Sequence, residues 1–173
     1  MIHIYHGDGK GKTTAALGLA IRAMGSGIDI IFSQFLKDDI SSEFVVLREL
    51  EHVKIFHADE FYGFVWEMSE EEKLLQKDAN EKLLKRVEEY AKENASKKLL
   101  IVLDEVLHAV NNSLLSQDML CEFLDEYSET CEIVLTGTNP SEELVTRGDY
   151  ITEIKKVKHP FDMGVEARKG IEF

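Results

Sequence analysis

Positive charge is in short supply: Lys and Arg number 20 against 33 Asp and Glu, a formal charge of −13. A field of that sign repels nucleic acid, so DNA- or RNA-binding functions are not expected. Cysteine is scarcer still. Cys121 and Cys131 have neither CxxC spacing nor the density of a disulfide-stapled secreted domain, and are expected as buried or neutral thiols in a reducing cytoplasm. There is no cationic-then-apolar leader and no run of 18 apolar residues, and the stretch from Leu99 to Leu103 is only strand length. A soluble, cytoplasmic protein with no membrane partner is the expectation. The histidines at 3, 6, 52, 57, 108 and 159 show no HxxxH or HxH spacing, which argues against zinc. No Ser or Cys sits in a nucleophile-elbow pattern.

What is present is enough for one core. The chain has 173 residues, 44% of them hydrophobic, and reads as a single domain over 1–173. Its most informative stretch is HGDGKGKTT, residues 6–14. The common phosphate-binding loop has a glycine, four free positions and then Gly-Lys-[Ser/Thr]. Here Gly7 leaves one position too few, and the first glycine's place falls on His6. The alternating IHIY before it reads as a strand, and residues 12–24 read as a helix stopped at Gly25, the context such a loop requires.

Further strands are expected at 28–35, 53–57, 99–105, 132–137 and 150–154. Helices are expected at 42–50, 69–94, 114–127 and 140–146. Ser69 and the glutamates after it form a cap for the longest helix, whose apolar positions 74, 75, 79, 83, 84, 87, 90 and 91 trace one face. Its charged opposite face reads as solvated surface. Residues 58–68 read as an aromatic-rich loop, and the C-terminal tail as irregular. Strands alternating with helices imply an α/β fold, a mostly parallel sheet with helices on both faces, and the glycine-rich loop after its first strand makes the expected fold P-loop NTPase-like.

Three groups of residues carry chemistry. Gly7, Gly9 and Gly11 allow backbone N–H groups to converge on phosphate oxygens. Lys10 and Lys12 add charge, the helix beginning at Lys12 adds its dipole, and Thr13 or Thr14 offers a hydroxyl to Mg²⁺. Asp104 and Glu105 close a buried strand, where in P-loop proteins a carboxylate holds Mg²⁺ directly or through water. The plainer alternative is a pair of ordinary residues where a strand leaves the core, and their placement on a central strand favours the metal role. Phe61, Tyr62, Phe64 and Trp66 form the third group, and on residue type alone core packing is the better reading for them.

Taken in order, GDGKGKTTAALGLAIRAMGSG, QFLK at 34–37, GFVW at 63–66, VLDE at 102–105, TG at 136–137 and the tail from GDYITEI through KHPF to GIEF resemble the ATP:corrinoid adenosyltransferases. The resemblance covers essentially the whole chain. It implies transfer of the 5′-deoxyadenosyl group of ATP to Co(I) of a corrinoid with release of triphosphate. ATP would lie in the loop in the opposite sense to a kinase, with C5′ facing cobalt, held by Gly7, Asp8, Gly9, Lys10, Gly11, Lys12, Thr13 and Thr14. Lys37 and Arg22 are further candidate nucleotide contacts, although two acids follow Lys37 and Arg22 also fits an exposed helix face. Mg²⁺ would sit on Thr13, Asp104 and Glu105. Phe64 and Trp66 match the family's Phe-x-Trp pair, which displaces the lower axial ligand of cobalt and so eases reduction of Co(II). This reverses the packing reading for those two rings.

The same resemblance implies an electron donor such as a reduced flavoprotein, and a homodimer. Two departures stand out. Thr138 occupies a place where relatives often have arginine, and many members carry an N-terminal extension over the corrinoid, whereas this chain starts one strand before the loop, so a more exposed corrinoid or a lower affinity for it is expected. Two other readings compete: a small P-loop kinase giving ADP, and a nucleotide- or corrinoid-binding protein without turnover.

Overall fold

The computed structural model describes residues 1–37 and 42–171. Asp38 and Asp39, the acids after Lys37, and the last two residues of the tail block lie outside the described residues. Six strands form one sheet: β1 (Ile2–His6), β2 (Asp29–Gln34), β3 (Val53–His57), β4 (Leu99–Asp104), β5 (Glu132–Gly137) and β6 (Tyr150–Glu153). Their order is β3-β2-β4-β5-β1-β6, and every neighbouring pair is parallel. The helices are α1 (Lys12–Met24), α2 (Ser42–Leu47), α3 (Glu70–Glu93), α4 (Val106–Asn111), α5 (Gln117–Tyr127) and α6 (Glu142–Arg147). A 3₁₀ turn, Pro160–Met163, interrupts the tail.

Burial explains why the central strands are apolar without alternation. β4 is buried at all six positions because both its faces are covered. On one face, Ala16, Ala20 and Ala23 of α1 pack with Phe44 and Leu47 of α2 over Ile30, Phe32, Leu100, Val102 and Val134. Alanines at that spacing let α1 approach the sheet closely, which fixes the direction in which its N-terminus points. On the other face, Leu83, Leu84, Val87 and Ala91 of α3 join α4 and α5 over Ile31, Ile101, Leu103, Ile133 and Leu135. The strand register then puts the functional ends side by side, with Gln34 opposite Asp104 and His6 opposite Gly137. In an open parallel sheet, ligands bind outside these carboxyl ends.

The elements expected from sequence are present with their ends shifted, and three features differ. α4 occupies VLHAVN, where no helix was expected, and α5 begins only at Gln117, after the Ser116 side chain has accepted the Met119 N–H. Leu114 and Leu115 are buried in the turn between them. The apolar face expected for α3 holds at 83, 84, 87 and 91, but Leu74 and Leu75 are exposed. Gln76 and Asn80 are buried in their place. Tyr62 N donates to Gln76 Oε1, Gln76 Nε2 to Asn80 Oδ1, and Asn80 Nδ2 to Leu114 O at 2.8 Å. Two polar side chains thereby tie the aromatic loop to the turn after α4. The tail is not wholly irregular, since its Pro160 turn is capped by the His159 side chain. Among the described residues, no helix is long and apolar enough to cross a membrane.

Candidate nucleotide and corrinoid site

The loop after β1 is held from outside as well as shaped from within. Gly9 N donates to Ile154 O at 2.8 Å, Ile154 N to His6 O at 2.7 Å, and Lys156 N to Asp8 Oδ1 at 2.9 Å. That last bond holds the Asp8 carboxyl below the ordinary aspartate value. A Cβ at Gly7 would lie 2.4 Å from Ile154 O, and one at Gly9 2.8 Å from the same atom. These two glycines thus serve the close approach of the chain after β6, a use that the sequence pattern did not suggest. Gly11 differs: nothing lies near its missing Cβ, but its φ of 120° is one that other residues rarely adopt. As the N-cap of α1 it brings no side chain to the first-turn N–H groups, an arrangement that suits an anion at the helix start. Lys12 Nζ donates to the carbonyls of Gly7 and Gly9 at 2.9 and 3.0 Å, which keeps its charge over the loop. Lys10 and Thr14 are exposed beside it.

Asp104 is the hub of the site. Its Oδ1 accepts from Thr13 Oγ1 at 2.8 Å and Thr136 Oγ1 at 2.7 Å, and its Oδ2 accepts from Gln34 Nε2 at 2.9 Å. Lys37 Nζ stands 3.5 Å from Oδ2. Complete burial pushes the Asp104 carboxyl up, with Lys37 opposing. A carboxylate offers about four acceptor positions, and three are already taken by donors. Its clearest effect is on Thr13: by accepting the hydroxyl's hydrogen bond, it turns the oxygen lone pairs outward.

Glu105 is more accessible. It has φ of 62° and contacts His108 Nδ1. Burial raises its carboxyl, but His108, Lys37 and Lys12 outweigh that, and it stays below the ordinary glutamate value. Among the described residues no cluster of three or more His, Cys, Asp or Glu could hold a metal. Mg²⁺ needs no such cluster, since it keeps waters and substrate phosphates around one or two protein oxygens. Thr13 and Glu105, with Asp104 behind them, fit that requirement.

A cavity of ≈ 370 Å³ adjoins these groups, lined by Lys37, Phe64, Trp66, Glu105, His108 and Asn112 among others. Phe64 and Trp66 stack with centroids 4.7 Å apart and planes within 9°, yet are 57% and 78% exposed. Core packing is therefore not their role. Rings stacked on each other at an exposed rim are suited to receiving a flat apolar surface.

One expected site residue lies elsewhere. Arg22 is in the last turn of α1, about 15 Å along the helix axis from Lys12 at 1.5 Å per residue. It lines a groove at the opposite end of the strands with His3 and Tyr150. Within one chain it is not brought to the loop. Conversely, Gln34 and Thr136 were not singled out from sequence as site residues. The available signal was a polar residue at or near the end of an apolar strand flanking the Asp104 strand.

Comparison with known proteins identifies the family. The family model for ATP:corrinoid adenosyltransferase BtuR/CobO/CobP matches residues 1–173. A corrinoid adenosyltransferase of Salmonella typhimurium strain LT2 is 31% identical over 179 residues, spanning all of this chain and 85% of that protein. One from Escherichia coli strain K12 is 30% identical over the same spans. Among solved structures, the cytoplasmic domain of EssC superposes with a TM-score of 0.56 at 16% identity, covering 97% of this chain and 33% of that one, a likeness of fold alone. The match over the whole chain and the P-loop fold lead to one conclusion: the chain belongs to the ATP:corrinoid adenosyltransferase family, whose reaction is the ATP-dependent adenosylation of corrinoids.

Proposed function

We propose that the loop from Gly7 to Thr14 grips the triphosphate of ATP while the cavity beside Phe64 and Trp66 receives one edge of the corrinoid, so that C5′ of the ribose faces cobalt. The observation that carries this reading is the single cavity joining the two rings to Lys37 and Glu105, next to the Thr13–Asp104 pair. The Co(I) centre of the reduced corrinoid is itself the nucleophile. A cobalt–carbon bond forms as the C5′–O bond breaks, and triphosphate leaves with the bonding pair. The protein's tasks are alignment and stabilisation of the departing charge. Lys12, Lys10, Lys37 and the α1 amides supply positive potential there. Thr13 and Glu105, with Asp104 behind them, would hold Mg²⁺, which would supply charge neutralisation at the phosphates. No general base is needed.

Phe64 and Trp66 act before the transfer. An apolar wedge under the ring excludes water and the lower axial donor, which makes Co(II) easier to reduce. A reduced flavoprotein suits the role of electron donor, and a homodimer is the assembly the family resemblance favours.

The test is anaerobic incubation with Mg-ATP, following the cobalt–carbon product by absorbance and the phosphate product by chromatography. Adenosylcobalamin and triphosphate are expected from chemically reduced cob(I)alamin. Phe64→Ala and Trp66→Ala should each lose about 10²-fold or more when the protein must work from Co(II) and a reductase, but under tenfold when Co(I) is supplied. Equal losses in the two assays would overturn the assignment of the rings to the reduction step. ADP in place of triphosphate would overturn the transfer reading.

A further inference from the structure

The Thr136-Gly137 pair at the end of β5 has no role in the steps above, yet Thr136 touches both Asp104 and Glu105. Thr136 is fully buried and its hydroxyl works in both directions: Oγ1 donates to Asp104 Oδ1 at 2.7 Å and accepts the Glu105 N–H at 2.8 Å. A single hydroxyl thus fixes the side chain of one carboxylate and the backbone of the other. Glu105 needs such a hold, because at φ 62° it occupies a conformation that non-glycine residues rarely adopt. Gly137 completes the arrangement. With φ of 143°, its missing Cβ would lie 2.6 Å from Leu107 Cβ and 3.1 Å from His108 N, so the first turn of α4 rests directly on it. No other residue would let α4 start where it does, one residue after Glu105.

We propose that Thr136 is a positioning residue for the Mg²⁺ site, acting through Asp104 and Glu105. It aims Asp104 at the Thr13 hydroxyl and holds Glu105 in its strained turn, with Gly137 providing the close approach that keeps α4 and His108 in place. The inference rests on the reading of Thr13, Asp104 and Glu105 as the Mg²⁺ site. Thr136→Val keeps the shape and removes both hydrogen bonds, whereas Thr136→Ser keeps the hydroxyl.

The experiment is calorimetric titration of ATP into the wild-type protein and each variant, with Mg²⁺ and with chelator, beside thermal melts. Thr136→Val should lose at least about tenfold in affinity for ATP in Mg²⁺, as outer-shell partners of metal sites commonly do. Its affinity for metal-free ATP should stay within about twofold, and Thr136→Ser should recover most of the loss. Thr136→Val with unchanged Mg²⁺ dependence, or with equal losses in both conditions, would overturn the proposal. Should Thr136→Val lack a cooperative melt, Thr136→Ala carries the same comparison without the added methyl. Wild-type protein whose ATP affinity ignores Mg²⁺ would overturn the metal site itself, and this inference with it.

Discussion

Gly7 and Gly11 both hold φ near 120°, but the structure gives them different burdens. At Gly11 an alanine meets no atom and bears only the backbone cost, roughly 1–3 kcal/mol for a residue held in so sparse a region. At Gly7 the same cost is joined by overlap with a backbone carbonyl that cannot rotate away, because Ile154 is bonded to His6 and Gly9. Gly7→Ala is therefore expected to lower stability by about 1–2 kcal/mol more than Gly11→Ala, measured by urea denaturation of the two variants. Equal losses would mean that the chain after β6 is a soft neighbour and not a clamp. The comparison also marks the limit of sequence reading at this scale. Glycine spacing identified a phosphate loop, because strand, loop and helix follow in order. It could not reveal that two of the three glycines serve a segment about 145 residues away in sequence, nor that Glu105 is strained, since both facts arise only when distant strands register. Asp104 was legible as a carboxylate at a strand end. Of its three donors only Thr13 was, through the loop motif; Gln34 and Thr136 were not, because each lies on a different strand.

At the scale of elements, apolar periodicity located the strands and long helices well and failed where polar groups are buried. α3 is the clearest case. Its N-terminal turns bury Gln76 and Asn80 and leave Leu74 outside, the reverse of what hydrophobicity alone requires. The amides are satisfied there by Tyr62 N, by each other and by Leu114 O, which removes the penalty that burial otherwise carries. Asn80→Leu, although it makes the helix face more apolar, should cost about 1–3 kcal/mol by stranding the Leu114 carbonyl and the Gln76 amide. Leu74→Gln, although it removes a leucine, should change stability by under about 0.5 kcal/mol. Thermal melts of the two variants decide between these expectations and the opposite order, which a simple amphipathic helix would give. The same relay reaches the base of the aromatic loop through Tyr62. α4 escaped notice for a related reason: VLHAVN is short, and its first turn is positioned by Gly137 of another strand more than by its own sequence.

For the whole molecule, two electrostatic effects oppose each other and their balance fixes the pH of greatest stability. A formal charge of −13 repels itself at neutrality, and this strain eases as the solution approaches the pI of about 4.9. Specific pairs act the other way. Lys97 donating to Asp29 holds that carboxyl below its ordinary value, and Arg147, bonded to Asp125 through Nε and Nη2, does the same there. For carboxylates depressed on folding, the stabilisation is fully present above the unfolded value near about 3.9 and is lost as pH falls through the lower folded value. Exposed pairs are individually worth little, so repulsion governs the neutral limb and the pairs the acid limb. The melting temperature should rise from pH 7 to a maximum at roughly pH 5–6 and fall below about pH 4. Added salt at pH 7 should raise it by screening the repulsion. Asp29→Asn should melt below the wild-type protein at pH 7, and the gap should close once the pH falls below the folded-state value of Asp29. A gap that persists at the lowest pH at which both proteins fold would assign the role of Asp29 to packing and hydrogen bonding instead of charge.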